Sequence, residues 1–376
     1  ARHQRFLPPR GLLRGRPGRA TVRPFRGKGY AMRLAILGAG AIGPACAALA
    51  ASRGHAAALW SPSGAGTRGL GGVLHAEGVL EGAFLVTVAT TLEDAFAGAD
   101  AALLTVPAYA LPGLLPRIAA AIPKTLPLLI APAASLAPLA FARLRGPGAP
   151  VGAMATTPVT GRRTAPDRVR VAAIRAQAEM GALPGAAAPQ MAALAETLFG
   201  NRWPTVPDAL AAAFINNNPI VHAALALGNV TRIEKQESWG QYGLMTPAIC
   251  RLIEALGAER DALAAHFGHR PPSIAEALHR TNGVPLGPLH EMTAAIERGR
   301  GFIAGPTDMA TRYVTEDVPF GLAFYLAIAA AIGRPMPVTA STIAVLETLW
   351  GQGLRDNPLL EGLDLADLPA ALARSG

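Results

Sequence analysis

The stretch that decides the fold is Arg33–Pro44, which reads Arg-Leu-Ala-Ile-Leu-Gly-Ala-Gly-Ala-Ile-Gly-Pro. Its apolar run Leu34–Leu37 is typical of a strand buried on both faces of a sheet. Three glycines follow at the spacing G-x-G-x-x-G, and the Ala- and Leu-rich segment Ala45–Arg53 predicts a helix whose first turn tolerates Pro44. A glycine motif between a strand and a helix is the context of a dinucleotide-binding turn. The alternative is a plain strand–turn–helix without a ligand.

The three glycines serve different purposes in such a turn. Gly38 permits the tight turn out of the strand, Gly40 leaves room for a pyrophosphate against the backbone, and Gly43 lets the helix pack close to the sheet. The first N–H groups of the helix then face the phosphates. The predicted nucleotide-binding residues here are Gly38, Ala39, Gly40, Ala41, Ile42 and Gly43, together with Val106 and Pro107 at the end of an apolar run.

Length and composition indicate a two-domain protein with a sizeable core. The chain has 376 residues, of which 51% are hydrophobic, and about 150 residues make a typical domain. The net charge of +9 comes from residues 1–31, which hold nine basic and no acidic residues. The rest of the chain is neutral, so it offers no electrostatic reason to expect nucleic acid or an anionic membrane as a partner.

The cysteine count and the apolar runs exclude several other classes. The two cysteines, Cys46 and Cys250, are too few for a disulfide framework or a cysteine-rich metal site, and no metal is predicted. The longest apolar run, Phe320–Ile332, is shorter than the ~20 residues that span a bilayer. The N-terminus lacks the continuous apolar core of a secretory signal. We therefore expect a cytoplasmic enzyme without a membrane partner.

The segment 1–31 differs from the rest in being rich in Arg, Pro and Gly, without apolar periodicity. Such a segment cannot bury enough apolar surface to order itself, which predicts a disordered basic extension. Met32 directly precedes the first strand, so we expect an extension upstream of the folded domains. A transit peptide or a basic arm is the alternative.

Residues 32–207 alternate strand-like and helix-like segments, which predicts an α/β Rossmann-type domain with a doubly wound parallel sheet. After the first strand and helix, strands are predicted at 56–60, 84–89, 101–106, 126–131, 151–155, 169–174 and 203–206, and helices at 92–96, 111–122 and 190–198. The last of these strands are expected to complete the same sheet. Arg162 and Arg163 are expected to be solvated surface residues rather than ligand binders.

The end of the second predicted strand bears on the choice of nucleotide. An acidic residue about 20 positions beyond the glycines would hydrogen-bond the adenosine ribose of NAD. This chain has Trp60-Ser61-Pro62-Ser63 there instead. Ser61, Ser63 and Arg68 could contact a 2′-phosphate, so the sequence favours NADP over NAD as the cofactor.

Residues 208–376 show helical patterns and few strand candidates, which predicts a second, all-α domain. The predicted helices are 209–215, 220–231, 247–267, 273–278, 289–297, 307–314, 321–332 and 339–350. A nucleotide domain followed by a helical domain places a substrate in the cleft between them. Trp239, Tyr242 and Met245 are candidates for lining that pocket, with core packing as the alternative.

Two polar stretches of the helical half are candidates for chemistry. The first, 214–222, reads Phe-Ile-Asn-Asn-Asn-Pro-Ile-Val-His, and the second, 311–321, reads Thr-Arg-Tyr-Val-Thr-Glu-Asp-Val-Pro-Phe-Gly. Asn and Pro also mark helix starts, and an acidic pair before a proline can cap a helix. The composition of these stretches therefore leaves a structural and a functional interpretation open.

The chain resembles the octopine/nopaline (opine) dehydrogenase family over about residues 32–355. The resemblance rests on the glycine motif, on Asn-Asn-Pro-Ile-Val-His at 217–222 and on the run 312–321, with Ala223 where many relatives have proline. It implies a Rossmann domain followed by a helical domain like the C-terminal one of 6-phosphogluconate dehydrogenase. The implied reaction is reductive condensation of an L-amino acid with a 2-oxo acid such as pyruvate. The sequence leaves open whether the protein forms a homodimer.

The resemblance also implies roles for individual residues. His222 and Asp317 occupy the positions of the catalytic pair, and Arg312 that of the arginine that binds a substrate carboxylate. Histidine suits proton transfer near neutral pH, and a carboxylate fixes its tautomer. Asn218, one helical turn before His222, could donate to another substrate oxygen.

Two other functions use the same fold. A related dehydrogenase acting on a 2- or 3-hydroxy acid, without an amine, would need the same histidine and arginine. A non-catalytic nucleotide sensor would keep only the fold, and the presence of both His222 and Asp317 argues against it.

Overall fold

The computed structural model describes residues 31–374, with an α/β half followed by a helical half. Apart from Ala31, the predicted basic extension lies outside the described residues. The α/β half contains β1 Arg33–Leu37, α1 Ile42–Ser52, β2 Ala56–Trp60, β3 Val73–Gly78, β4 Gly82–Leu85, β5 Thr87–Ala89, α2 Leu92–Phe96, β6 Ala101–Leu104, α3 Leu111–Ala121, β7 Leu128–Ile130, α4 Ala137–Arg145, β8 Val151–Met154, β9 Val159–Ala165, β10 Arg168–Ile174, β11 Met180–Leu183 and α5 Ala188–Phe199.

The main sheet has seven strands in the order β11-β8-β7-β6-β1-β2-β5. All neighbours are parallel except β11, which runs antiparallel to β8. Because β2 and β6 flank β1, the chain switches direction across the sheet at the carboxyl end of β1, where doubly wound sheets bind ligands. The predicted doubly wound fold is confirmed.

A second, four-stranded sheet in the order β4-β3-β10-β9 covers the outer side of α1. Residues Gly43–Ala50 of α1 are all buried, because this helix is enclosed between two sheets and has no solvent-facing side. The second sheet corrects two sequence predictions. The segment 84–89 is two strands in different sheets, and 169–174 belongs to β10 rather than to the main sheet. The predicted strand 203–206 forms only an isolated bridge, from Thr205 to Met180.

The helical half follows directly, beginning with α6, which Asp208 caps by accepting from the Ala211 N–H. The domain boundary between residues 207 and 208 stays a prediction. Asp208, which caps α6, is the first residue after it. The helices are α6 Ala209–Ile215, α7 Asn218–Gly228, α8 Val230–Glu234, α9 Pro247–His266, α10 Ile274–Asn282, α11 Leu289–Arg300, α12 Arg312–Thr315, α13 Ala323–Ala331, α14 Pro337–Trp350 and α15 Leu368–Arg374. A π-helical turn, Val318–Leu322, joins α12 to α13, so the predicted helix 307–314 is wrong except for its end.

Two stretches of the helical half are long and apolar enough to cross a membrane by length and composition. In Ala209–Gly228 and Arg312–Ala331, however, 67% and 72% of the most apolar window is buried inside the fold. Both carry residues of the apolar core that the helical half shares with the α3 side of the sheet. Helices in the core of a folded protein pass the same test of length and composition, so packing in the core explains the apolar character of both stretches.

Candidate active site

The glycine turn after β1 has the geometry that a dinucleotide requires. Gly38 has φ +123°, and a Cβ there would lie 2.8 Å from the Thr105 carbonyl oxygen. A Cβ on Gly43 would lie 1.8 Å from the Gly38 carbonyl oxygen, so the helix can approach the strand only with glycine here. A Cβ on Gly40 would have no neighbour within 4 Å, which leaves open space in front of the turn.

The residues around the turn fit a pyrophosphate. Ala41 is the N-cap of α1, and no side chain caps the helix, so its first N–H groups keep their capacity to bind phosphate oxygens. Val106 lies beside the turn, and Pro107 is exposed next to it. The nucleotide-binding residues predicted from sequence, Ala39 and Ile42 included, thus lie together at the carboxyl edge of the sheet.

The loop after β2 is held against the glycine turn by an arginine that the sequence prediction placed wrongly. Arg163 on β9 is half-buried and donates to the carbonyl of Ala39 at 2.6 Å and also to the carbonyl of Gly66. Its Nε donates to Ala165 at 3.2 Å, and burial lowers the pKa of the guanidinium. The expected solvated surface position is therefore wrong for Arg163, while Arg162 is exposed. Its partners are backbone carbonyls, which leave no trace in the sequence.

Ser61 and Arg68 occupy different positions in this loop. Ser61 is buried, and its Oγ accepts from the Gly66 N–H at 3.0 Å, which leaves its own hydrogen free to donate. Arg68 is exposed. The loop therefore carries a buried hydroxyl and an exposed cation, and the role of both in binding a 2′-phosphate stays a prediction.

His222 and Asp317 form a buried pair between two helical segments. α7 starts at Asn218 with Pro219 in its first turn, and His222 lies one turn further along on the inward face. Asp317 follows α12 and precedes the π-helical turn, without capping it. The distance from His222 Nδ1 to Asp317 Oδ2 is 2.8 Å. Because a carboxylate only accepts, Nδ1 carries the hydrogen and Nε2 is left to exchange a proton with a substrate.

Tyr313 covers one face of this imidazole. The two ring centroids are 3.7 Å apart and the planes differ by 3°. The Tyr313 hydroxyl donates to Gln241 Oε1 at 2.8 Å, which fixes the ring, and burial raises the pKa of the phenol. The sequence showed Tyr313 only as part of the quoted run, without this role.

Arg312 and Glu316 complete the charges around the pair. The Arg312 guanidinium is 3.9 Å from Asp317 and 3.5 Å from Glu316, and its side chain is 54% exposed. Burial opposes its charge, but the two carboxylates outweigh this and raise the pKa of Arg312. Glu316 is buried, which raises the pKa of its carboxyl, and its Oε1 accepts from the Ala108 N–H at 3.0 Å. Since Ala108 follows Pro107 and Glu316 precedes Asp317, this bond joins the segment that carries Asp317 to the segment after β6.

Asn218 and its neighbours have separate roles. Asn218 is exposed on the turn before His222, and its backbone N–H donates to Asn216 Oδ1 at 3.1 Å. The Oδ1 of Asn217 accepts from the buried Arg260 at 2.8 Å, which is a structural contact. Of the three asparagines, Asn218 is the exposed one, and its contact with a substrate stays a prediction. Among the suggested pocket residues, Trp239 and Met245 are in the core, while Tyr242 is half-buried.

Similar proteins are known for both the sequence and the fold. The helical half matches the family described as NAD/NADP octopine/nopaline dehydrogenase, alpha-helical domain, over residues 205–350. An opine dehydrogenase of Arthrobacter sp. (strain 1C) is 30% identical over 91% of this chain and 97% of its own length. Vitopine synthase of Allorhizobium ampelinum is 28% identical, over 83% of this chain and 89% of its own length.

Solved structures show the same architecture. Octopine dehydrogenase with NADH and L-arginine has a TM-score of 0.73 at 18% identity, over 92% of this chain and 96% of that chain. Yersinopine dehydrogenase with NADP+ has a TM-score of 0.66 at 19% identity, over 92% and 98%. With the full-length relative from Arthrobacter, the glycine turn and the paired His222 and Asp317, these likenesses lead to one assignment. The chain belongs to the octopine/nopaline dehydrogenase family and is an NAD(P)-dependent oxidoreductase of the opine dehydrogenase type.

Proposed function

We propose that this chain catalyses the NAD(P)H-dependent condensation of an L-amino acid with a 2-oxo acid, in which an imine forms and is reduced. The observation that carries the proposal is the buried His222–Asp317 pair, tied by Glu316 to the Ala108 N–H beside the nucleotide turn. These contacts support a role for His222 as the group that transfers protons beside the bound nucleotide.

The chain's own residues account for the binding and proton steps. The α-carboxylate of the 2-oxo acid binds to Arg312, whose exposed guanidinium borders the pair. The amine adds to the carbonyl carbon, and His222 Nε2 gives a proton to the oxygen that leaves as water. Asp317 holds the ring orientation and stabilises the imidazolium between these steps. Asn218 donates to a second substrate oxygen. The reduced nicotinamide, when bound, supplies the hydride that the imine carbon accepts.

The nucleotide and the setting belong to the same proposal. Ser61 and Arg68, with no acidic residue at the end of β2, favour NADPH over NADH. Among structures of similar fold, both NADH and NADP+ are found. We propose a cytoplasmic enzyme, and gel filtration with light scattering tests whether it forms a homodimer.

A substrate matrix tests the proposed function. 2-Oxo acids are crossed with L-amino acids, and oxidation of NADPH or NADH is followed by absorbance. We expect turnover only when both substrates are present, a secondary amine as product by mass spectrometry, and a higher kcat/KM with NADPH. A ketopantoate reductase from Ralstonia eutropha shares the fold with a TM-score of 0.61 at 17% identity, over 85% of this chain and 99% of that chain. Turnover of a 2-oxo acid without any amine would therefore favour the hydroxy-acid alternative.

A further inference from the structure

A buried hydrogen-bond network lies next to the segment of Asp317 and takes no part in the steps above. Ser135, in the loop after β7 of the α/β half, donates from Oγ to the Phe320 carbonyl at 2.7 Å. Asn357, which follows α14, donates from Nδ2 to Ser135 Oγ at 2.9 Å and to the Pro319 carbonyl at 3.1 Å. Both side chains are buried. The network therefore joins the α/β half to the π-helical turn that follows Asp317.

The chemistry of the two side chains suits this network. A hydroxyl can donate and accept at one atom, and the Oγ of Ser135 is used in both ways. A side-chain amide offers two donor hydrogens and an acceptor oxygen, and Asn357 also uses its oxygen, which accepts from the Leu359 N–H at 3.3 Å. An apolar replacement of either residue would leave a buried carbonyl of the turn without this partner.

The backbone of Ser135 has an unusual conformation. Its φ is +49°, in the left-handed region that residues other than glycine seldom adopt. Glycine would adopt this conformation at no steric cost, but it has no hydroxyl. The chain thus combines a less favourable backbone with the hydroxyl that reaches Phe320, and local strain of this kind is concentrated at functional sites.

The helix that carries His222 packs against the same π-helical turn. A Cβ on Gly321 would lie 2.2 Å from Pro219 Cγ, so the turn lies directly on the start of α7. All five residues of the turn, Val318–Leu322, are buried. The two carbonyls of the network come two and three positions after Asp317. A shift of the turn would therefore change the position of Asp317 relative to His222.

Two hydrogen bonds tie the segment of Asp317 to the nucleotide-binding sheet, one on each side of this residue. Before it, Glu316 accepts from the Ala108 N–H, after β6, at 3.0 Å. After it, the Phe320 carbonyl accepts from Ser135, after β7. Strands β6 and β7 are parallel neighbours in the sheet that contains β1, so both bonds start from the carboxyl edge where the glycine turn lies. The Asp317 carboxylate is thus held to this edge through two points.

We propose that Ser135 and Asn357 are positioning residues for the reaction, because they hold the π-helical turn in the place where Asp317 orients the imidazole of His222. The proposal rests on the proposed condensation, in which His222 transfers a proton and the nicotinamide supplies the hydride. Their effect passes through the backbone of the turn. A displacement of about 1 Å at a reacting group can slow a reaction by ~10²-fold, so loss of the network should slow turnover without weakening the binding of substrates.

The test compares Ser135→Ala with Ser135→Gly, because both remove the hydroxyl and only glycine suits the left-handed backbone. Ser135→Gly should therefore have the higher melting temperature. We expect kcat, expressed per site that binds NADPH in a fluorescence titration, to fall about tenfold or more in both variants, while the KM of each substrate stays within about twofold of wild type. Thr293→Val is the matched control, because it removes a buried hydroxyl that donates to the His290 carbonyl of its own helix at 3.1 Å. It should keep the kcat of wild type.

A second measurement does not depend on substrates. The proton on Nδ1 of His222 is observed by NMR in protein with isotope-labelled histidine, and its resonance is assigned by its loss in His222→Ala. Because this proton lies in the hydrogen bond to Asp317, its chemical shift reports the alignment of the carboxylate. We expect the resonance to shift or broaden in both Ser135 variants and in Asn357→Ala, and to stay unchanged in Thr293→Val.

The outcomes separate positioning from stability. Similar losses of kcat in Ser135→Ala and Ser135→Gly, despite their different melting temperatures, support the proposal. A kcat equal to that of wild type, a loss that follows the melting temperature, or an unchanged resonance in both variants overturns it. If the wild-type protein turns over no pair of substrates, the proposed function fails, and the resonance still decides whether Ser135 positions Asp317 against His222.

Discussion

The Nδ1 atom of His222 lies 2.8 Å from Oδ2 of Asp317, although 95 positions separate the two residues in the chain. His222 lies one turn into α7, and Asp317 lies at the junction of α12 and a π-helical turn. Such turns often occur at functional sites because the extra residue redirects a side chain. The pair is buried, so its orientation is set by packing before a substrate arrives.

This pair yields the first prediction. His222→Ala removes the group that exchanges the proton, and we expect kcat to fall by ~10²-fold or more. Asp317→Asn keeps the size of the side chain but loses the charge that orients the imidazole, so it should also lower kcat. The dissociation constant of NADPH, measured by fluorescence titration, should stay within about twofold of wild type, since neither residue lies at the glycine turn. Near-normal kcat in His222→Ala would remove this residue from the mechanism.

A second prediction concerns the ring stacked on His222. Tyr313→Ala exposes one face of the imidazole, and we expect kcat to drop by up to ~10-fold, the size of an aromatic pair contribution. Tyr313→Phe retains the stacked ring and loses only the hydroxyl that donates to Gln241. It should stay much closer to wild type in steady-state kinetics. Equal losses in the two variants would show that the hydroxyl, and not the ring, matters.

A third prediction follows from the buried Glu316. Burial raises the pKa of its carboxyl, so the folded protein keeps this proton at a pH where the unfolded chain, with a pKa of about 4.3, has lost it. The free energy of unfolding therefore contains a contribution that declines as the pH rises from about 4.3 through the raised pKa. Glu316→Gln lacks this decline and still offers an oxygen to the Ala108 N–H.

Urea unfolding between pH 4 and 8 measures this contribution as a difference between wild type and variant. The exposed Glu361→Gln is the control, because its environment in the folded protein is solvent. We expect the free energy of unfolding of Glu316→Gln, relative to that of wild type, to increase as the pH rises. The difference between Glu361→Gln and wild type should stay constant over the same pH range. Parallel curves for Glu316→Gln as well would contradict the prediction.

The fourth prediction concerns Arg163 as a positioning residue for the nucleotide. It holds the carbonyls of Ala39 and Gly66 together, so Arg163→Met should loosen the loop against the glycine turn. We expect the dissociation constant of NADPH to rise about tenfold, as for loss of a charged hydrogen bond, with a smaller effect on kcat. Arg162→Met, one residue earlier on the same strand and exposed, is the control. A similar loss in both variants would point to the charge of the strand in general.

The sequence predicted local elements far better than distant pairings. The strands Arg33–Leu37 and Ala56–Trp60 and the helix Leu92–Phe96, with Thr91 as its cap, are where the apolar patterns placed them. The second sheet was missed because β3 pairs with β10 across more than ninety positions, and the alternation that defines each strand names no partner. Which strand pairs with β3 depends on the fold of the whole domain, and the residues of β3 alone do not predict it.

The candidate site divides in the same way. The glycine turn could be deduced from spacing, while His222, Asp317 and Arg312 were located through a resemblance to a family. Tyr313 was inside the quoted run, but its stacking on His222 depends on the angle between α7 and α12.

The hydrogen bond from the Ala108 N–H to Glu316 spans 208 positions and is buried between the two halves. An amide proton in that place can be replaced by deuterium only when the halves move apart, or when the protein unfolds as a whole. The rate at which this amide exchanges with deuterium therefore measures how often the two halves separate. Slower exchange with nucleotide present would mean that binding of the coenzyme stabilises the arrangement in which the two halves are in contact.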